Sequence, residues 1–175
     1  MADLDLSALH DIYTSEEQVK EATAFKTLPT GAYRFHVEKA DPRTDDRPDS
    51  ETPGRQTARI TAAAFDPLTG DRKGTTFFNV SWQPFKREDR AGILKQDGPT
   101  KLWGQLVKAL EAQDQSVADV VQTTIYSAPV DGFLIESMKM PDGSLQGFKT
   151  PEERVALLKD GGEPMNYVAN LRKAK

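Results

Sequence analysis

The residues with the most chemistry to offer are rings and cations. Phe77, Phe78 and Trp82 lie close together, Phe65 and Phe85 flank them, and Arg59, Arg72, Lys73, Lys86 and Arg87 are interspersed. Flat rings stack on nucleobases while guanidinium and ammonium groups pair with phosphates, which holds a single strand without reading its sequence. The plain alternative for these types is a core ring or a solvated cation on a strand. Other chemistries are poorly supplied. The chain has no cysteine, which excludes disulfides, thiol catalysis and thiolate metal sites. Its histidines are His10 and His36, too few for a histidine-rich metal site. No Ser-x-x-Lys, Gly-x-Ser-x-Gly or phosphate-cradling glycine loop occurs, so no enzyme is expected. Asp41, Asp45, Asp46, Asp49 and Glu51 cluster, but Arg43, Arg47, Arg55 and three prolines share the stretch. That spacing matches no calcium loop and reads as a solvated segment, with no metal or cofactor expected. A carboxylate nuclease would need at least two buried acids converging on a metal, and burial is not expected there.

The 175 residues suit one domain, with 37% hydrophobic and 29% charged side chains. The net charge of −4 sits entirely in residues 1–30, which hold six acids and two lysines; the remainder is balanced. A nucleic-acid site must therefore be a local patch rather than a global field. No apolar run approaches the ~20 residues of a membrane span. The acidic N-terminus lacks a signal-peptide core, so no membrane partner and a cytoplasmic location are expected.

Several elements must position the rings and cations. Residues 1–14 alternate acids with Leu4, Leu6, Leu9 and Ile12 and read as a frayed tail or a partner-binding arm; the same arm could mimic DNA in the chain's own groove. Ser15 and Gln18 form a capping box for a short helix over 16–25. Alternation of Tyr33, Phe35 and Val37 against Arg34, His36 and Glu38 predicts a strand over 32–39, with Arg34 on its polar face. Residues 41–55 have no apolar side chain to bury and are expected to be a mobile loop. Strands over 56–66 and 75–82 flank Asp66-Pro67-Leu68-Thr69-Gly70-Asp71 as a hairpin. On the second of these Phe77 and Phe78 point to opposite faces, and Trp82 shares the face of Phe78. Residues 83–98 read as a loop. Pro99 opens a helix over 100–112 on which Trp103 is a packing residue, and Ser116 caps another over 117–123. A strand over 130–140, a turn, a short return at 145–148, a helix from Pro151 to Gly161 and a strand over 165–171 complete the chain.

This order predicts an α+β, mainly β fold: a five-stranded OB-like Greek-key barrel with a helix between strands 3 and 4 and an inserted helix between strands 4 and 5. An antiparallel α+β sandwich is the alternative. Residues 1–27 form the acidic tail and short helix, and 28–175 the OB-like domain with its flexible loop over 41–55.

Three stretches carry a resemblance: Leu28-Pro29-Thr30-Gly31-Ala32-Tyr33, Arg72-Lys73-Gly74 and the run Lys101-Leu102-Trp103-Gly104-Gln105-Leu106-Val107-Lys108-Ala109-Leu110. Over about residues 28–172 the chain resembles phage-encoded single-stranded-DNA-binding proteins of OB-fold type. It departs from them in the acidic loop at 41–51 and the helix at 151–160, and it lacks the acidic C-terminal tail of bacterial single-strand-binding proteins. The resemblance implies sequence-independent binding of single-stranded DNA during replication or recombination, with replication or recombination proteins as further partners; a homo-oligomer is an option because barrel edges could pair between subunits. Its nucleic-acid-binding residues would be Arg34, Arg59, Phe65, Arg72, Lys73, Phe78, Trp82, Phe85, Lys86 and Arg87. The competing expectation is a non-enzymatic phage structural or protein-interaction module, in which the rings are core or a protein interface.

Overall fold

The computed structural model describes Tyr13, Ser15 and residues 26–175. The tail expected over 1–14, Tyr13 apart, and the helix expected over 16–25 lie outside the described residues.

Alternation builds the first three strands, and bulges correct it. In β1 (Gly31–Thr44), Tyr33 and Phe35 are buried while Ala32 and His36 are exposed. Glu38 is an extra residue against β2 (Gln56–Phe65): Val37 faces Ala62, yet Lys39 faces Thr61. A bulge of this kind shifts which parity points inward. Past it, Ala40 and Pro42 oppose the inward Ile60 and Ala58, and Lys39, Asp41 and Arg43 join Arg34 and His36 on the outer face. β1 thus runs through residues 41–44, which the sequence reading assigned to the loop.

In β2, Ala58, Ile60, Ala62 and Ala64 point inward, and in β3 (Arg72–Val80) Thr76, Phe78 and Val80 do. The small alanines leave room for Phe35 and Phe78, whose ring centroids lie 6.5 Å apart. Each large apolar side chain so enclosed contributes about 1.5–3 kcal/mol.

All strands of the main sheet pair antiparallel; β3, β2 and β1 follow one another, and the strand Val130–Lys139 (β6) lies beyond β1. β8 (Glu163–Lys173) lies along the whole of β6 (Val130–Lys139), while β1 and the short β7 (Leu145–Gln146) share the opposite edge of β6. The sheet is rolled, so that β8 returns against β3, and α1 (Gly98–Ala109) packs on both. Asp97 caps α1 and Leu102, Leu106 and Ala109 face the core. The helix also closes the free edge of β8: Gln105 Oε1 accepts from Leu171 N at 2.8 Å. α2 (Val117–Gln122) is capped by Ser116 and followed by a single 3-10 turn at Thr124–Tyr126, whose Ile125 is buried. α3 (Pro151–Lys159) buries no residue and is tied to the sheet by Arg154, whose Nε lies 3.1 Å from Glu136 Oε1.

One departure concerns the last strand. The expectation put Met165, Tyr167, Ala169 and Leu171 on one side of the last strand. A bulge at Ala169 breaks that row, because Phe133 pairs with Asn170 and Leu134 with Val168. Val168 and Leu171 are inward and buried, whereas Met165 and Tyr167 face out. Gly132 sits where β6 and β8 crowd Phe35: a Cβ there would lie 2.6 Å from the Phe35 ring and 2.8 Å from Asn170 O.

Candidate nucleic-acid interface

The outer face of β1, β2 and β3 gathers the cations and rings that alternation leaves outside. Arg59 and Phe77 come from β2 and β3, and the Arg59 guanidinium lies over the Phe77 ring at 4.6 Å. Thr61 stands opposite Phe77, and Asn79 and Asp41 flank Arg59. Toward the β2–β3 turn, Phe65 meets His36 edge-on at 4.9 Å between ring centroids. Arg72 is opposite Phe65 and pairs with Glu38 at 3.2 Å, and Lys73 is exposed at a second bulge. Toward the other end, Arg43 is exposed opposite Thr57. Arg34 shares this face but is held by Asp131 at 2.9 Å and donates to Lys175 O at 2.8 Å. Burial raises the Asp131 carboxyl, and the bonds from Arg34 and Lys175 N outweigh that rise, leaving its pKa below the ordinary value.

One end of this face is walled by the β1–β2 loop and by a hairpin, β4 (Lys86–Glu88) with β5 (Leu94–Gln96), that the sequence reading took for a loop. Arg55 joins them. Its Nη2 lies 2.9 Å from Asp97 Oδ1 and 2.8 Å from Thr100 Oγ1, its Nη1 2.5 Å from Asp97 Oδ2, and its Nε donates to Ser81 Oγ at 3.1 Å. The two side chains are 10% and 7% exposed, so the pair is nearly withdrawn from water. Burial raises the Asp97 carboxyl; the bonds from Arg55 and Thr100 more than offset this and hold it below its usual value. Arg55 and Arg87 also flank the Phe85 ring, each 5.6 Å from its centroid, and Arg87 pairs with Glu51 across the gap at 3.1 Å.

The loop over 45–55 is organised. Asp45 N donates to Arg55 O at 2.8 Å and Gly54 N to Asp45 O at 2.8 Å, which closes the loop on itself. The Asp45 carboxylate accepts from Arg47 at 3.0 Å, from Ser50 and from Thr52, and these bonds, Arg47 first, hold it far below the usual carboxylate range. Those oxygens of Asp45 are occupied by protein donors. Between loop, hairpin and sheet lies a cleft of about 600 Å³ whose lining includes Arg43, Arg47, Thr57, Asn79, Arg87 and Asp97.

Of the residues expected to bind nucleic acid, Arg59, Phe65, Arg72 and Lys73 lie together on the outer face, and Phe85, Lys86 and Arg87 form its end wall. Phe78 is a correction. Its ring is 6% exposed inside the core and cannot stack on a base. Its neighbour Phe77 is the outward ring. The signal was legible: Phe78, Val80 and Trp82 form one apolar parity, while Phe77 alternates with Thr75 and Asn79. Trp82 is likewise drawn inward, half-buried against the core and edge-on to Trp103 at 5.6 Å, with Nε1 donating to Gln56 Oε1 at 3.2 Å. Arg43 was missed because the Glu38 bulge that aims it outward has no sequence signal.

Among the described residues no group of three or more His, Asp or Glu side chains is placed to hold a metal, and no helix is long and apolar enough to cross a membrane. No known protein family, curated protein or solved structure matches the chain.

Proposed function

We propose that the chain is a non-catalytic protein that binds single-stranded DNA without sequence preference, on an OB-type barrel, in phage-type replication or recombination. The observation that carries the reading is the outward Phe77 ring under the Arg59 guanidinium, with Phe65, Lys73 and Arg43 on the same face. A ring and a cation in contact offer one nucleotide both a stacking plane and a phosphate partner.

The fold reading rests on strand order. The order β3-β2-β1-β6-β8, with β8 returning to β3 and a helix across that gap, suits a five-stranded closed barrel. In such a barrel the face of its second and third strands and the loop between its first and second strands bind oligonucleotides. Those are β2, β3 and residues 45–55. A strand would lie across Phe65 and Phe77 and meet Arg43, Lys86 and Arg87 at the walled end. The phage setting rests on the resemblance described above.

The face is not uniformly basic: Asp41 and Glu38 lie on it, paired with Lys39 at 3.2 Å and Arg72 at 3.2 Å. Binding is therefore expected to draw on stacking as much as on charge. Titration of labelled poly-dT by fluorescence anisotropy at two salt concentrations, with duplex of equal length as control, tests the reading. Salt-sensitive binding that prefers the single strand supports it. Absence of binding by folded protein at low salt rejects it, and a protein-interaction role then takes its place.

A further inference from the structure

The β4–β5 hairpin stands out from the walled end of the candidate interface, and no residue of 86–96 is buried. A two-stranded ribbon has little stability of its own, yet this one is firmly made. At its base Asp97 N donates to Phe85 O at 2.8 Å. At its tip Asp89 N donates to Ile93 O at 2.8 Å, and Asp89 Oδ1 accepts from Ala91 N and from Ile93 N, each at 2.9 Å. Gly92 supplies the positive φ of 77° on which this tight turn depends. The tip therefore holds Ile93, 55% exposed, at a fixed place in water.

The two sides of the ribbon differ. Arg87 is directly opposite Lys95, and Asp89 and Ile93, bonded to each other two positions farther on, share their side. Lys86, Glu88, Leu94 and Gln96 lie on the other side. Like charges set directly opposite repel. Here one carboxylate attends each cation, Glu51 on Arg87 at 3.1 Å and Asp89 on Lys95 at 2.9 Å. The two cations are 62% and 64% exposed, and ion pairs so exposed are weak and readily exchanged for a phosphate. Arg87 also lines the cleft with Arg43 and Asn79, so this side of the ribbon prolongs the cationic face. It does not prolong stacking, because residues 86–96 contain no aromatic side chain.

We propose that the side of the hairpin bearing Arg87, Lys95 and Ile93 binds duplex DNA adjoining a single strand, so that the protein recognises single-to-double-strand junctions. An unpaired base offers its flat face to a ring, and the ribbon has no ring. A paired segment hides those faces and offers phosphates, together with a groove that admits a two-stranded ribbon. Arg87 and Lys95 meet the phosphates. Ile93, an aliphatic side chain on a rigid tip, abuts the outermost base pair in the manner of an apolar wedge. The proposal rests on the single-strand reading of the β2–β3 face: the strand crossing Phe65 and Phe77 leads to the hairpin, and the junction falls where the rings end at Phe85.

Fluorescence anisotropy on the full chain compares four labelled DNAs: a dT tail, a blunt duplex, and that duplex bearing the tail at a 3′ or a 5′ end. Because the second contact is made by a tethered group, at least one tailed duplex is expected to bind about tenfold more tightly than the tail alone. Ile93→Ser combined with Lys95→Gln should abolish that gain and leave the Kd for the dT tail unchanged. Both positions are exposed, so the fold is retained. Leu94→Ser, on the other side of the ribbon, should keep the gain. The proposal is overturned if both tailed duplexes bind as the tail does, if the gain survives the double substitution, or if Leu94→Ser removes it as fully. In those three outcomes the tail still binds and the single-strand reading stands. Failure of the dT tail to bind at low salt overturns that reading and the junction proposal with it.

Discussion

The β2–β3 face and the β6–β8 face are built by the same alternation yet end with opposite character. On the first, the outward ring of Phe77 is met by a guanidinium and that of Phe65 by His36, and Thr57, Thr61, Ala63, Thr75 and Asn79 fill the outward positions around them. On the second, Phe133, Ile135, Tyr167 and Met165 stand together, and among the described residues no cation lies over either ring. A ring with a partner cation suits a ligand that has both a flat face and a negative charge. Rings without one suit another apolar surface. The contrast shows that exposed aromatics on a sheet say little until their neighbours are known.

The largest effect should come from the two sides of β3. Phe78→Ala removes a core ring and is expected to cost about 3–5 kcal/mol of stability in urea unfolding. Phe77→Ala, on the outer side, should cost about 1 kcal/mol or less. Equal losses would mean that the inward and outward assignments are wrong. Next in size is Arg55→Ala, which strands the nearly enclosed Asp97 carboxylate and should destabilise by about 3 kcal/mol. It should also weaken oligonucleotide binding, because the loop and hairpin lose their common anchor; Arg59→Ala should weaken binding with little change in the unfolding midpoint.

The comparison between faces is sharpened by binding alone. Phe77→Ala should weaken poly-dT binding by about 1–3 kcal/mol, the worth of one stacked base. Phe133→Ser and Tyr167→Ser should leave the Kd unchanged. A loss of binding from Tyr167→Ser equal to that from Phe77→Ala would move the strand path to the wrong face. The smallest effect is electrostatic. Lys73→Ala and Arg59→Ala should each flatten the log–log salt dependence by about 0.7. Arg34→Ala should not, because Asp131 already neutralises that guanidinium.

Local patterns made much of the fold legible. The Asp66–Asp71 turn, the caps at Ser116 and Thr150, and the helical spacing of Leu102 and Leu106 are signals written within a few residues, and the corresponding elements stand where they were expected. Elements held by distant partners were not legible. The β4–β5 hairpin has only exposed side chains and is organised around Phe85 by Arg55, which lies 30 residues upstream of it. The β1–β2 loop has no apolar residue to announce order; it is closed by hydrogen bonds to Asp45 and by Arg55. The candidate site was legible in the same divided way. Arg59, Phe65, Arg72 and Lys73 followed from strand parity and turn position, while Phe78 was placed outside although its own parity was the apolar one.

By itself the sequence determined what could be made: a mainly β chain without cysteine, an acidic N-terminal segment, and strands whose alternation divides each into a buried and an outward set. Those properties depend on composition and on neighbours two to four residues apart, where backbone geometry imposes the period. Only the tertiary structure decided which outward set became which surface. Bulges at Glu38, Lys73 and Ala169 change the facing of every residue beyond them, because the side-chain period of a strand is two and one added residue reverses it. Pairing β2 with β3 set Arg59 beside Phe77, and pairing β6 with β8 set Ile135 beside Tyr167. These partners are brought together by register between separate strands, which no local spacing encodes.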